Sequence, residues 1–327
     1  FGTGPSGYRA NTTDDYGALN AFVLVDANDQ PRFPPRDGTE GTPESLTANE
    51  VRTIIRNALA IAFRARAQIR RPLGSHAQVT ISVVDTNGSI LGIARTPDGP
   101  VFGTDVSLQK ARTAAFFSNT NTAADLIRAN LGNYWLAAKA VLGPGALSDG
   151  TAFADRSGGN LSRPFFPDGI DGAPHGPFSK PFSEWSPFNV GLQLDLIAAN
   201  IVAHRSFLLG QSPTDTPMNC TPIPVRPQTS KSPVANGIQI FPGSVPIYRN
   251  NTLIGGIGVS GDGIDQDDMI SFLGLHNAGL ELGTGVGNAP RPIRADNLEV
   301  PGGRLRYVNC PFLPFLDSNE QTPCNGK

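Results

Sequence analysis

The residues best suited to chemistry in this chain fall in two short runs. The first is Lys110, Ala111 and Arg112, two cations in a stretch otherwise rich in alanine and phenylalanine up to Phe117. Residues two apart on a helix face about 200° away from one another. One of the two cations is therefore expected toward the sheet or a subunit contact and the other toward water. A buried Lys110 could pair with Asp85 or Asp105, and its competing use is contact with a ligand carboxylate. The second run is glycine-rich, Gly255 to Gly261, followed by Asp262, Asp265, Asp267 and Asp268. Gly258, Ser260 and Gly261 leave a strand end with little bulk, where another backbone can approach closely or peptide N–H groups can cradle an anion. The aspartates oppose an anion at that position, and their simpler use is to cap the helix that follows. Ile264 and Gln266 occupy ligand positions of an EF-hand loop, which argues against calcium.

Four histidines are available, His76, His175, His204 and His276. His204 follows Ile197 by seven residues on an apolar helical face, and His276 lies between Leu273 and Leu280; a lone histidine so placed is more often a hydrogen-bonded core residue than a ligand. Enzyme signatures are poor. The glycines around Ser260 have the wrong spacing for a nucleophile elbow, there is no HExxH or Walker loop, and a nucleophilic Ser260 would need a histidine brought to it by the fold. The reading therefore leans away from catalysis. Cys220, Cys310 and Cys324 show no CxxC spacing and suit one disulfide plus a third thiol, with the pairing open.

These runs must be positioned by a small set of elements. Thr47 and Glu50 predict a capping box. Val51, Ile54, Ile55, Ala58, Leu59 and Ala62 then keep helical spacing until Pro72 stops the segment. Val79, Ile81 and Val83 alternate with Thr80 and Ser82 as in a half-buried strand, and Thr86, Asn87 and Gly88 turn the chain back through Ile90 to Arg95. Asp105 is a plausible cap for the helix carrying Lys110 and Arg112. Ile238 to Phe241, Val245 to Arg249 and Leu253 to Val259 read as three further strands, before a helix opened by Asp265 or Asp267. This order predicts an α+β fold of five antiparallel strands with helices on one face. Residues 119–231 are more than a compact connection needs. Within them Val190, Leu194, Ile197, Ile201 and Leu208 form one apolar helical stripe, and Arg163 to Gly169 and Pro181 to Phe188 mix aromatics with prolines, loops expected to pack on their own protein or else to line a pocket or a neighbour's surface.

The 327 residues carry 26 basic and 28 acidic side chains, so no basic field exists to hold nucleic acid or an anionic membrane. No apolar run approaches the roughly 20 residues of a membrane-spanning helix. With 37 glycines and 29 prolines, much of the backbone must be turn and loop. The chain begins at Phe1, as a processed or trimmed chain would, and with its low charge and cysteine placement this predicts export.

Taken in order, Val83, Val84 and Asp85, then Lys110 to Arg112, then Gly255 to Gly261 with Asp267 opening the last helix, resemble the GlcG/HbpS-like family, whose function is haem-linked or unknown. The resemblance covers residues 46–118 and 232–283. It implies a profilin-like five-stranded sheet in two halves, with 1–45 as an N-terminal arm, 119–231 as a large loop-rich insertion and 284–327 as a wrapping tail. It further implies an exported, periplasmic or extracellular ligand-binding protein that forms a homo-oligomer and takes haem or a related tetrapyrrole. No CxxCH motif is present, so any haem would be noncovalent. Haem needs an axial donor or an apolar slot with cations for its propionates. The expected site therefore joins His204 or His276 to Lys110, Arg112, Gly258, Ser260 and Gly261. Two further readings stand beside it. One is an assembly subunit whose insertion and arms contact protein partners, and the other an enzyme acting on a small carboxylate near Lys110.

Overall fold

The structure is a computed structural model and describes residues 7–186, 190–216 and 219–327. Pro187 and Phe188, in the aromatic and proline-rich run noted above, and the first six residues of the arm lie outside the described residues. In chain order the main elements are β1 (Gly7–Ala10), β2 (Phe22–Val25), α1 (Ala48–Arg64), β3 (Thr80–Val84), β4 (Ile90–Arg95) and α2 (Gly103–Phe117). There follow α3 (Thr122–Arg128), α4 (Gly132–Leu142), α5 (Asp155–Leu161) and α6 (Leu192–Leu208). The chain closes with β5 (Ser244–Arg249), β6 (Thr252–Ser260), α7 (Ile264–Leu282), β7 (Val286–Asn288) and a small hairpin, β8 (Glu299–Val300) with β9 (Gly303–Arg304).

The capping box forms as read. Thr47 N donates to Glu50 Oε2 at 2.9 Å while the Thr47 hydroxyl accepts from Glu50 N, satisfying two of the donors a helix start leaves orphaned. Burial alone would raise the Glu50 carboxyl, but hydrogen bonds from Arg249, Thr47 and Thr284 outweigh it and hold the group at about 2. This clamp ties the start of α1 to the end of β5.

The fold is α+β, built on a seven-stranded antiparallel sheet in the order β1-β2-β4-β3-β6-β5-β7. Segments far apart in sequence meet at its centre, where Ile81 faces Val259 and Val83 faces Ile257. The hairpin turns fall where expected, with Gly88 at φ 76° and Asn250 at φ 53°. The five-strand expectation is corrected in two ways. Ile238–Phe241 is not a strand, because its amides are bonded to side chains rather than to a neighbouring strand: Gln239 N donates to the Thr113 hydroxyl on α2 at 2.8 Å, and Ile240 N to the Gln239 side chain at 2.9 Å. Strands β1, β2 and β7 are added instead from the two ends of the chain.

The arm is thus a structural edge rather than a loose extension. Besides β2, Ile93 N donates to Phe33 O and Leu91 O accepts from Arg36 N, so the exposed edge of β4 is covered. Similarly the tail gives β7 to the other edge and buries Tyr307 and Phe315 in the main core. Cys310 and Cys324 form the disulfide, and Cys220 is free and exposed.

Helices cover both faces of the sheet, not one. On the first face Ile81, Val83, Ile257 and Val259 pack with α1 and α7, themselves in close contact where Gly274 meets Ala58. On the second face β3 and β6 present Ser82, Gly256 and Gly258, and α2 lies almost backbone to backbone on them. A Cβ on Gly258 would stand 2.0 Å from Ser107 O, and one on Gly256 would stand 2.3 Å from Ala111 O. The Ser82 and Ser107 hydroxyls close the same contact at 2.8 Å. Small residues on the strands, as much as the alanines of α2, permit this approach.

Phe116 and Phe117 at the end of α2 lead into a second core with Leu126, Phe153, Phe178 and Leu196. The stripe read on α6 is covered only at its start. Val190 is buried and Leu194 and Ile197 are half-buried, while Ile201 and Leu208 are 53% and 68% exposed; the fully buried leucines, Leu192 and Leu196, lie off the stripe. The helix runs past the surface it packs on.

Candidate functional site

The start of α2, the exit of β6 and the first turn of α7 meet around a cleft of about 320 Å³. Its walls are apolar, from Ile69, Phe102, Val106, Phe241 and Ile264, and its polar groups are Lys110, Ser260, Asp262 and Asp267 with Gln239. Lys110 is only 2% exposed. Its ammonium donates to Asp267 Oδ2 and Val259 O, each at 2.9 Å. The partner is therefore neither Asp85 nor Asp105, because the lysine side chain lies over the end of β6 and meets α7 there. Gly243, at φ 137°, makes room for this ammonium: a Cβ there would lie 2.6 Å from both Lys110 Nζ and Val259 O. Glycine is needed on both steric and conformational grounds.

Behind the pair lies a second layer of buried charge. Arg156 Nε donates to Asp268 Oδ2 and Nη2 to Asp265 Oδ1, both at 2.5 Å, and Asn309 N donates to Asp268 Oδ2 at 2.9 Å. Asp265, Asp267 and Asp268 are thus ion-pair partners rather than caps, and Asp262 accepts from the Gln68 and Gly263 amides; Gly263 is the N-cap of α7 and offers no side chain. Burial pushes Asp267 up to about 6, opposed by Lys110, and pushes Asp268 up to about 6, opposed by Arg156. Asp155 is fully buried, and burial raises it well above the ordinary carboxylate range, opposed by Lys110.

The sequence-derived candidates scatter. Ser260 and Gly261 line this cleft with Lys110, but Gly258 is sealed beneath α2. Arg112 is buried too, so neither cation of the pair points to water, and it lines a different cleft. His204 sits on the exposed end of α6 with Nδ1 2.8 Å from Asp215 Oδ1, not on a covered apolar face. His276 is half-buried on α7, where burial, then Lys327 and Arg294, lower its pKa. His76 packs on Phe63 with ring centroids 4.8 Å apart, and His175 Nδ1 lies 2.9 Å from Gly176 O. No histidine lines the Lys110 cleft, so the expected grouping of His204 or His276 with the cations does not form, and Ser260 has no imidazole beside it there. Asp105 is no cap, since α2 begins at Gly103 after Phe102. Sequence reading missed the apolar wall and the pair Asp155 and Arg156. Only an adjacent acid and base marked the latter, which is a common dipeptide. Among the described residues, no group of three His, Cys, Asp or Glu side chains is placed to hold a metal ion, and no helix is long and apolar enough to cross a membrane.

Against known families, residues 199–275 match the model described as HbpS-like, haem degrading protein HbpS-like. Over that stretch, less than a quarter of its length, the chain is similar to the HbpS-like family. The matched stretch starts inside α6 and runs through β5, β6 and the first half of α7, and so supplies Phe241, Ser260, Gly261, Ile264 and Asp267 of the cleft. Among solved structures, a PduOC:heme complex is 17% identical over 75% of this chain and 99% of its own, with a TM-score of 0.32. Klebsiella pneumoniae protein ORFY, of family DUF336, is 15% identical over 73% of this chain and 94% of its own, with a TM-score of 0.33. No curated protein matches the chain.

Proposed function

We propose that this protein binds a carboxylate-bearing tetrapyrrole noncovalently in the Lys110 cleft, haem being the first to test. One observation carries the reading: an apolar-walled cleft of about 320 Å³ closes on the buried Lys110–Asp267 pair, and much of it comes from the HbpS-like stretch. Its size is at the low end of the roughly 300–1,000 Å³ usual for small-molecule sites, so a flat ring would enter by one edge and leave the rest over exposed Ile69 and Phe102. The fit to haem is partial. The walls suit the ring and Lys110 suits a propionate, but no histidine, cysteine, methionine or tyrosine on the cleft can ligate iron. Recognition here rests on ring and carboxylate rather than on the metal. The Cys310–Cys324 disulfide supports placing the protein in the periplasm or outside the cell.

Titration with haemin and with iron-free protoporphyrin should each give a saturable Soret shift, with dissociation constants within about threefold of one another. Phe102→Glu, at a residue 63% exposed, should weaken both about tenfold, equivalent to roughly 1.4 kcal/mol. The reading fails if neither pigment binds saturably. It fails also if only haemin binds and His204→Ala or His276→Ala abolishes that binding while Phe102→Glu leaves it intact.

A second reading, an assembly role, is favoured by the end of α6, where Ile201, Val202, Phe207, Leu208 and Leu209 form an uncovered apolar patch. The proposed homo-oligomer would bury this patch. Light scattering should then find an oligomer at micromolar concentration that Val202→Glu with Leu208→Glu reduces to monomer; a monomeric parent chain rejects the reading.

A further inference from the structure

The other cation of the sequence pair, Arg112, is buried without a countercharge. It is 5% exposed, donates through Nε to Gly88 O at 2.9 Å and through Nη1 to Asn236 Oδ1 at 2.7 Å, and has no described carboxylate within ion-pairing distance. The two acids in its neighbourhood are committed elsewhere. Asp85 Oδ2 accepts from Thr39 N at 2.8 Å and Asp85 Oδ1 from Ser89 N at 2.9 Å, while Asp105 Oδ1 accepts from Asn236 Nδ2 at 3.1 Å. No described group accepts from Nη2 of Arg112. A buried guanidinium with only neutral partners is costly, and the remedy is an oxyanion that takes its free N–H groups.

The surroundings supply room for one. Arg112 lines a cleft of about 260 Å³ with Arg36 and Lys231, both exposed, while Phe33 and Ile90 give it an apolar side and Thr39, Ser89 and Thr229 offer hydroxyls. Arg36 is held there by donation from Nε to Ile90 O at 2.5 Å. Three cations from three parts of the chain, the arm, α2 and the segment before β5, therefore converge on one cleft lined by no carboxylate. Consistent with this setting, burial lowers the Arg112 guanidinium to about 10, with Asp105 and Asp85 opposing from a distance. The Arg112 cleft shares no lining residue with the Lys110 cleft and stands independently of the tetrapyrrole reading.

We infer that the Arg112 cleft is a binding site for a small organic acid, its carboxylate taken by Arg112 with Arg36 and Lys231 and its carbon chain laid on Phe33 and Ile90. The apolar side selects a carboxylate-bearing molecule over a bare inorganic anion, which has nothing to place there.

Calorimetric titration of the full chain with succinate at low ionic strength, with inorganic phosphate as comparator, tests this. Succinate should bind saturably at millimolar concentration or below and more tightly than phosphate. The double variant Arg36→Gln/Lys231→Gln, whose exposed side chains leave the fold intact, should weaken succinate at least tenfold, and Arg112→Gln should abolish it. Absence of succinate binding, binding of phosphate alone, or succinate affinity unchanged in the surface double variant each overturns the assignment. Because the surface variant reads the site without touching the buried arginine, misfolding of Arg112→Gln cannot rescue or sink the proposal.

Discussion

Replacing Lys110 with methionine should destabilise the fold by about 3–5 kcal/mol at neutral pH, the range for breaking a buried ion pair by removing one partner. Lys110 and Asp267 side chains are each 3% exposed, so neither can find water when the other is gone. The loss should depend on pH in a defined direction. Burial already raises Asp267 to about 6 in the folded state, above its ordinary 3.8. A raised folded-state pKa gives stability that is fully present below the unfolded value and lost as pH rises through the folded one. Without Lys110 the carboxyl moves higher still, so the deficit should open as pH rises above about 6 and narrow toward pH 5, where Asp267 is protonated in both proteins. Adding Asp267→Leu to Lys110→Met should recover much of the loss and flatten this dependence. Urea unfolding across pH 5 to 8 measures both effects. A single variant within roughly 0.5 kcal/mol of the parent at pH 7 would show that the pair is not the buried contact described.

Gly258→Ala should also destabilise the fold strongly. The added methyl would stand 2.0 Å from Ser107 O and 2.5 Å from Ala111 N, both backbone atoms of α2, so the helix must lift from the sheet. Overpacking ordinarily costs about 1–3 kcal/mol, and here no side chain can rotate away to lessen it. We expect a loss at or above that range, with faster amide exchange along α2 and insoluble expression at growth temperature. Gly287→Ala in β7 is the control, since nothing lies within 4 Å of a Cβ there. Equal stability of the two variants would contradict the close packing of α2 on β6.

The sequence by itself determined the elements whose signals are local. The Thr47 and Glu50 capping box, the alternation through Ile81 and Val83, and the turns at Gly88 and Asn250 each depend on residues within a few positions, and each appears where its pattern placed it, although the strand read as half-buried is buried on both faces because α2 covers Thr80 and Ser82. The order of landmarks from Val83 to Gly261 likewise carried the family resemblance, and the α+β class followed from the order of helix and strand. Ile238–Phe241 marks the limit of that reasoning, because an apolar run has strand propensity but becomes a strand only where a neighbour offers a free edge.

What only the tertiary structure decided are the relations between segments far apart. Nothing near Lys110 announces Asp267 as its partner, since the pairing depends on how α2 lies across β6. That in turn depends on glycines at 256 and 258 meeting the backbone of α2. The same packing turns Arg112 to a separate cleft, while His204 lies on the exposed end of α6, which runs past the surface it packs on. Helical spacing fixes which residues share a face. Which face is covered, and by what, is set by contacts across the sheet, and burial then decides whether a charge must be paired, neutral or answered by a ligand.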